Sequence, residues 1–166
     1  GFSNKIIFRN KAKLNDDIYV TGNLGDSFIG LKVLQKKIKL NKILTNYFKT
    51  KYFHPTLYRH FSEKLLLFAN TYIDISDGLI SDLEKMINKQ KLSYKIYLDN
   101  IPISHNLKKL IDLKITNKIS SITHGDDYQI LFTASPIKSR IISKISKSLG
   151  IKISKIGKIC AHSQKS

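Results

Sequence analysis

The sequence predicts an α+β domain with helices packed on a mixed sheet. Alternating or continuous apolar runs at Ile18–Thr21, Tyr94–Leu98 and Tyr128–Ala134 read as strands. Helical spacing recurs between them, most clearly where Ile137, Ile141, Ile142, Ile145 and Leu149 share one face. The two patterns mix without a regular strand–helix–strand rhythm, which favours helices layered on one sheet. At 166 residues and 42% apolar content the chain has material for one domain and a sizeable core. The expected organisation is a basic lead-in over 1–16, the domain over 17–159 and a tail over 160–166. The first residue is Gly1 rather than Met, so a processed start or a piece of a longer protein is expected.

In chain order, Ile6-Ile7-Phe8 suggests an edge strand, and Asp16-Asp17 leads into the strand Ile18–Thr21. Gly22-Asn23-Leu24-Gly25 turns the chain, and Asp26 or Ser27 is placed to cap a helix over about 26–35. A rougher helix is expected within 36–53, ending before His54-Pro55, because a residue preceding proline avoids helical geometry. A third helix spans about 58–69, with Leu65 to Phe68 apolar enough to be covered on most sides. Tyr72–Ile75 is a short interior strand. Ser76 or Asp77 should cap the next helix, about 78–89, whose core face carries Leu79, Leu83, Met86 and Ile87. After the strand at 94–98, a short helix fits 106–113 and 114–122 has little pattern. Pro136 opens the amphipathic helix, Gly150 stops it, and Ile151, Ile153 and Ile156 suggest a last strand.

The net charge of +17 raises nucleic acid or an anionic membrane as partners. Neither is expected. Only three of the 29 basic residues are Arg (Arg9, Arg59 and Arg140), and the Lys residues are spread along the whole chain. Nucleic-acid surfaces favour Arg for bidentate contacts. Cys160 is the only cysteine, so a disulfide within the chain is excluded and a reducing, cytoplasmic setting is expected. No Cys/His spacing resembles a zinc motif, and no apolar run approaches a membrane span.

Against that background, four of the twelve acidic residues stand in two glycine-marked turns. One is Asp74-Ile75-Ser76-Asp77-Gly78, the other Gly125-Asp126-Asp127. Asp74 and Asp77 come off a strand end and the first turn of a helix. Two carboxylates with open positions for water and phosphate suit Mg²⁺, and the helix start adds partial positive charge. Asp77 as a plain helix cap and Asp126-Asp127 as ordinary turn residues are the structural alternatives. His124 as a general base has no Ser or Cys nucleophile at a recognisable spacing beside it, and no catalytic residue is assigned.

Three stretches carry a resemblance to a known family: Asp17 through Ser27, Ile73 through Leu83, and Gly125 through Tyr128. In that order they resemble the C-terminal half of thiamine-monophosphate kinase, in the aminoimidazole ribonucleotide synthetase superfamily. His54-Pro55-Thr56 and Ile156-Gly157 fall where that family has comparable features. The resemblance implies transfer of the ATP γ-phosphoryl group onto thiamine monophosphate, giving thiamine diphosphate. It implies Asp74 and Asp77 as Mg²⁺ ligands, Arg9 and Ser76 as ATP contacts, and Asp126 as a contact to the thiamine substrate.

The departures shape the expectation. The family's nucleotide-binding N-terminal domain and its C-terminal aromatic residue have no counterpart in these 166 residues. Asn10 to Asn15 replaces a Ser-Gly-Ala-Lys-Pro-Gly pattern, His124 a glycine, and Asp126 a glutamate, while Gln129 removes a carboxylate. The chain is thus expected to be part of such a kinase, inactive alone, with a separate N-terminal half as a possible partner. A non-catalytic remnant is the alternative, and a basic nucleic-acid-binding module a more remote one.

Overall fold

β1 (Asp17–Thr21) is buried along its whole length because it lies in the middle of a five-stranded sheet. The fold was obtained as a computed structural model, which describes residues 7 and 9–162. β2 (Ala69–Asp74) and β3 (Leu92–Ile96) form the two edges, and β4 (Ile130–Ala134) and β5 (Ile153–Ala161) flank β1, in the order β2-β4-β1-β5-β3. Among the described residues seven α-helices join them: α1 (Asp26–Leu34), α2 (Lys42–Phe53), α3 (Arg59–Leu65), α4 (Leu79–Ile87), α5 (His105–Asp112), α6 (Lys118–Ile122) and α7 (Ser139–Leu149).

The α+β character is as the pattern predicts, but the sheet is not mixed: every pairing among these strands is antiparallel. The reason lies in the crossovers. α7 carries the chain from β4 to β5 in the same direction, yet leaves a one-strand gap that β1 fills running the other way. A helical crossover therefore does not make its two strands neighbours here.

Strand alternation sends Ile18, Val20, Ile73 and Leu131 to one face, against Leu79, Leu83 and Met86 of α4. The register shift of β5 opposite Ile18 and Tyr19 lets Ile156 and Ile159, three residues apart, join the same cluster. The opposite face presents Tyr19 and Phe132, stacked with ring centroids 5.2 Å apart, to Phe61 and Leu65 of α3 and Ile142 of α7. Each such buried side chain contributes about 1.5–3 kcal/mol. A third cluster joins Phe28 and Ile29 of α1 to Phe48 of α2 and Leu107 and Leu110 of α5.

Several boundaries differ from the sequence expectation. α2 begins only at Lys42, where the Asn41 side chain accepts the Leu44 N–H at 2.9 Å. α3 stops at Leu65, and of the following apolar run Phe68 is buried while Leu67 is exposed, because the chain there turns into β2. The little-patterned stretch after 114 contains α6, started by Asn117, whose side chain accepts the Ser120 N–H. Ile137 precedes α7 in a 3₁₀ turn and is exposed rather than part of its apolar face. Cys160 and Ala161 extend β5 into the expected tail, paired with Ser93 and Leu92, since β3 continues to offer a partner there.

The lead-in also packs on the domain. Ala12 is buried, and the Asn15 N–H donates to Ile159 O at 3.0 Å. Asn15 has φ 69°, a left-handed conformation that asparagine tolerates, where the resemblance places a glycine. The edge strand expected at Ile6 to Phe8 lies outside the described residues except for Ile7, and 163–166 lie outside them as well. Among the described residues no helix is long and apolar enough to cross a membrane.

Candidate functional site

The two acidic turns lie against each other. Continuing the β2–β4 pairing, the Ile75 N–H donates to Gln129 O at 2.8 Å and the Tyr128 N–H to Ile75 O at 2.9 Å. The Asp126 N–H then donates to Ser76 O at 3.0 Å. Such closeness needs glycine on both sides. A Cβ on Gly125 would lie 1.8 Å from Ser76 O, and one on Gly78 would lie 2.1 Å from Thr123 O. Gly78 moreover has φ 124°, a region that side chains disfavour.

Asp74 ends β2 with an exposed carboxylate that has no hydrogen-bond or ion-pair partner among the described residues. Asp77 is exposed, and its carboxylate pairs with Lys85 one helical stretch further on. Ser76 and Asp126 are half-buried between them, Asp126 in a left-handed conformation at φ 67°. These four predicted residues thus occupy one pair of facing turns. Arg9 does not join them by any contact shown. Its neighbour Asn10 donates its N–H to Met86 O, near the C-terminal end of α4. That helix is nine residues long, or about 13 Å, and Asp77 precedes its opposite end.

Neither Ser76 nor Asp77 caps α4; the capping position is Gly78, which has no side chain to offer. The cap comes from within the helix. Asp82 Oδ2 accepts the N–H groups of Ser76, Asp77 and Gly78 at 2.9, 2.8 and 3.1 Å. Its other oxygen accepts Lys85 Nζ at 2.9 Å, and its side chain is fully buried. Burial alone raises the pKa of such a carboxyl, but the hydrogen bonds from Lys85 and from the three N–H groups outweigh it and the net shift is downward. The N–H groups at this helix start, the source of its partial positive charge, are therefore already taken.

α1 follows the same logic. Asp26 and Ser27 do not cap it, and Gly25 at φ 89° is its N-cap. The acceptor comes from the second acidic turn, where buried Asp127 takes the Gly25 N–H at 2.8 Å and the Ser27 N–H at 3.4 Å. Burial, opposed by those bonds, pushes the Asp127 pKa up to about 7. Asp26 points elsewhere and accepts Ser104 Oγ at 2.6 Å and the Tyr47 hydroxyl at 2.8 Å. Asp126 and Asp127, adjacent in sequence, thus have different tasks: one faces the first acidic turn, the other holds the start of α1.

A polar cleft of about 220 Å³ opens beside Asp127, lined by Asn23, Ser27, Lys51, Thr56, Gln129 and Lys152 among others. It includes none of Asp74, Asp77 and Asp126. Gln129, the residue replacing a carboxylate, lines it and accepts the Thr21 hydroxyl at 3.0 Å. His124 stacks on Phe28, with ring centroids 3.9 Å apart, and its Nδ1 lies 2.6 Å from Ser120 O.

Asp82 and Lys85 were absent from the predicted site, and Asp127 was marked with its turn but assigned no role. A signal for Asp82 exists: it falls on the apolar stripe formed by Leu79, Leu83 and Met86, where a carboxylate must have buried partners. Lys85 carries no comparable mark in the sequence, and Asp127 was marked only as part of its glycine-led turn. Among the described residues no group of three or more His, Cys, Asp or Glu side chains gathers as a metal cage. The hard oxygen donors of Asp74 and Asp77 nonetheless suit Mg²⁺, which commonly takes one or two carboxylates and completes its shell with phosphate and water.

No model of a protein family matches the chain. Thiamine-monophosphate kinase of Buchnera aphidicola (subsp. Schizaphis graminum) is 39% identical over 157 residues, covering 92% of this chain and 47% of that protein. Among solved structures, thiamine-monophosphate kinase from Stenotrophomonas maltophilia superposes with a TM-score of 0.83 at 28% identity, over 92% of this chain and 50% of that one. AaThiL complexed with AMPPCP and TMP gives 0.80 at 26% identity, over 93% and 48%. The chain spans about half the length of the relatives it matches. Over that span it is similar in sequence and fold to the thiamine-monophosphate kinases, consistent with their C-terminal half.

Proposed function

We propose that the chain supplies one side of an ATP-dependent thiamine-monophosphate kinase, the side that presents carboxylates to a phosphate-bound cation. The observation that carries this reading is the pairing of Ser76 O with the Asp126 N–H, which seats Asp74, Ser76, Asp77 and Asp126 in one pair of turns. A related protein has been seen with AMPPCP, an analogue of ATP, and with TMP, read as thiamine monophosphate. In this proposal Asp74 and Asp77 hold Mg²⁺, which offsets phosphate charge when bound. Ser76 and Arg9 contact ATP, Arg9 from a position that brings it to the nucleotide only across the length of α4. Asp126 contacts the thiamine substrate, with a side chain one methylene shorter than the glutamate usual there.

By themselves these 166 residues are proposed to give no turnover. They offer two exposed carboxylates, one already paired with Lys85, and the Ser76–Gly78 N–H groups are occupied by Asp82. Further ligands and phosphate donors have to come from a second half. The test is a product assay for thiamine diphosphate with the purified chain alone, then with the N-terminal half of a thiamine-monophosphate kinase added. Formation that requires both halves and is lost in Asp74→Ala supports the proposal. Turnover by the lone chain defeats its second part, and no turnover with both halves favours a non-catalytic remnant.

A further inference from the structure

Lys85 stands where a bound cation would have to compete. Its ammonium pairs with Asp77 and donates to Asp82 Oδ1 at 2.9 Å, so it bridges an exposed carboxylate to a buried one. An isolated surface ion pair is easily lost to water and salt. This one differs, because the Asp82 end is buried and Asp82 is itself fixed by three backbone N–H groups. The ammonium therefore stays beside Asp77 even when Asp77 lets go of it. Asp74, on the strand side of the same turn, has no such partner among the described residues.

We propose that Lys85 is a resident counter-ion of the acidic turn, neutralising Asp77 and competing with a divalent metal ion for its carboxylate. The inference rests on Asp74 and Asp77 being the cation-binding carboxylates of the proposed function. Its consequence runs opposite to that of an ordinary structural residue: removing Lys85 improves binding. A metal ion arriving at Asp77 must displace one positive charge and then remain near it, since Asp82 retains the lysine.

The probe is Mn²⁺, titrated into the 166-residue chain and followed by water-proton relaxation, with Mg²⁺ as competitor. Lys85→Met is expected to bind Mn²⁺ at least about threefold more tightly than the parent, a modest gain because the pair is solvent-exposed. Lys85→Arg keeps the charge and is expected to match the parent. The double variant Lys85→Met with Asp77→Asn should lose the gain. Unfolding curves for each protein establish that the variants are folded. Unchanged or weaker binding by Lys85→Met overturns the inference, as does a gain that survives Asp77→Asn. If Asp74→Asn and Asp77→Asn leave the parent's Mn²⁺ affinity unchanged, the assignment of the carboxylates fails independently of Lys85. No binding by any of the proteins overturns both.

Discussion

Gly125 lies so close to Ser76 that a Cβ on it would stand 1.8 Å from the Ser76 carbonyl oxygen. The two acidic turns can touch only because that atom is missing, so the glycine is a condition of the site rather than a loop filler. Gly125→Ala is expected to cost about 3 kcal/mol or more and to lower Tm by about 6–12 °C. Gly150→Ala is the comparison. Gly150, unlike Gly125, has a positive φ of 62°, but nothing lies within 4 Å of its missing Cβ, so only backbone strain of about 1 kcal/mol applies. Thermal unfolding of the two variants checks this, and equal losses would show that the facing turns do not depend on close approach.

Asp82 is expected to matter more for stability than either predicted metal ligand. Asp82→Ala leaves three N–H groups without their acceptor and leaves the Lys85 ammonium only Asp77, at a cost of about 2–4 kcal/mol. Asp82→Asn keeps one acceptor oxygen and should lose less. Denaturant unfolding orders the three proteins, and an Asp82→Ala protein as stable as the parent would remove Asp82 as the holder of the turn.

Asp127 contributes a pH dependence of definite sign. Its pKa rises on folding from 3.8 to about 7, so between those values the folded chain binds more protons than the unfolded one. This group's contribution is therefore fully present below about pH 4, declines as pH rises towards 7, and changes little above that. Asp127→Asn, which retains an oxygen for the Gly25 N–H, is expected to flatten the stability profile between pH 4 and 7. Chemical denaturation across that range is the measurement, and an unaltered slope would contradict the assignment.

Asp77 should divide stability from function. Among the described residues its exposed carboxylate meets only Lys85, so in the lone chain Asp77→Asn is expected to move Tm by no more than about 1 °C. After reconstitution with an N-terminal half, the same change should lower Mg²⁺-dependent phosphoryl transfer by about a hundredfold or more. A large Tm loss would make Asp77 a structural residue, and unchanged transfer would remove it from the proposed chemistry.

Much of the fold was legible in local pattern. Met86 sits in the core as helical spacing requires, and Gly150 ends α7 in a left-handed conformation. Asn41, Ser104 and Asn117 cap their helices with their own side chains, a relation confined to three residues of chain that the sequence expectation nevertheless did not include. The first acidic turn was visible because carboxylates are scarce in a chain of charge +17.

The sequence by itself determined the α+β class, the approximate elements and the stretches that carry the chemistry, because periodicity, turn residues and charge act over a few positions. Only the tertiary structure decided the antiparallel strand order, since a helical crossover constrains direction but not which strand fills the gap beside it. It alone decided that Asp127, rather than Asp26 or Ser27, closes α1 across 102 residues of chain. At α4 it decided between nearby candidates: Ser76 and Asp77 have the right side chains in the right place for a cap, yet Asp82 takes their N–H groups. Asp82 is buried on the apolar face, and there a carboxylate must be satisfied from within the protein, whereas Ser76 and Asp77 remain within reach of water.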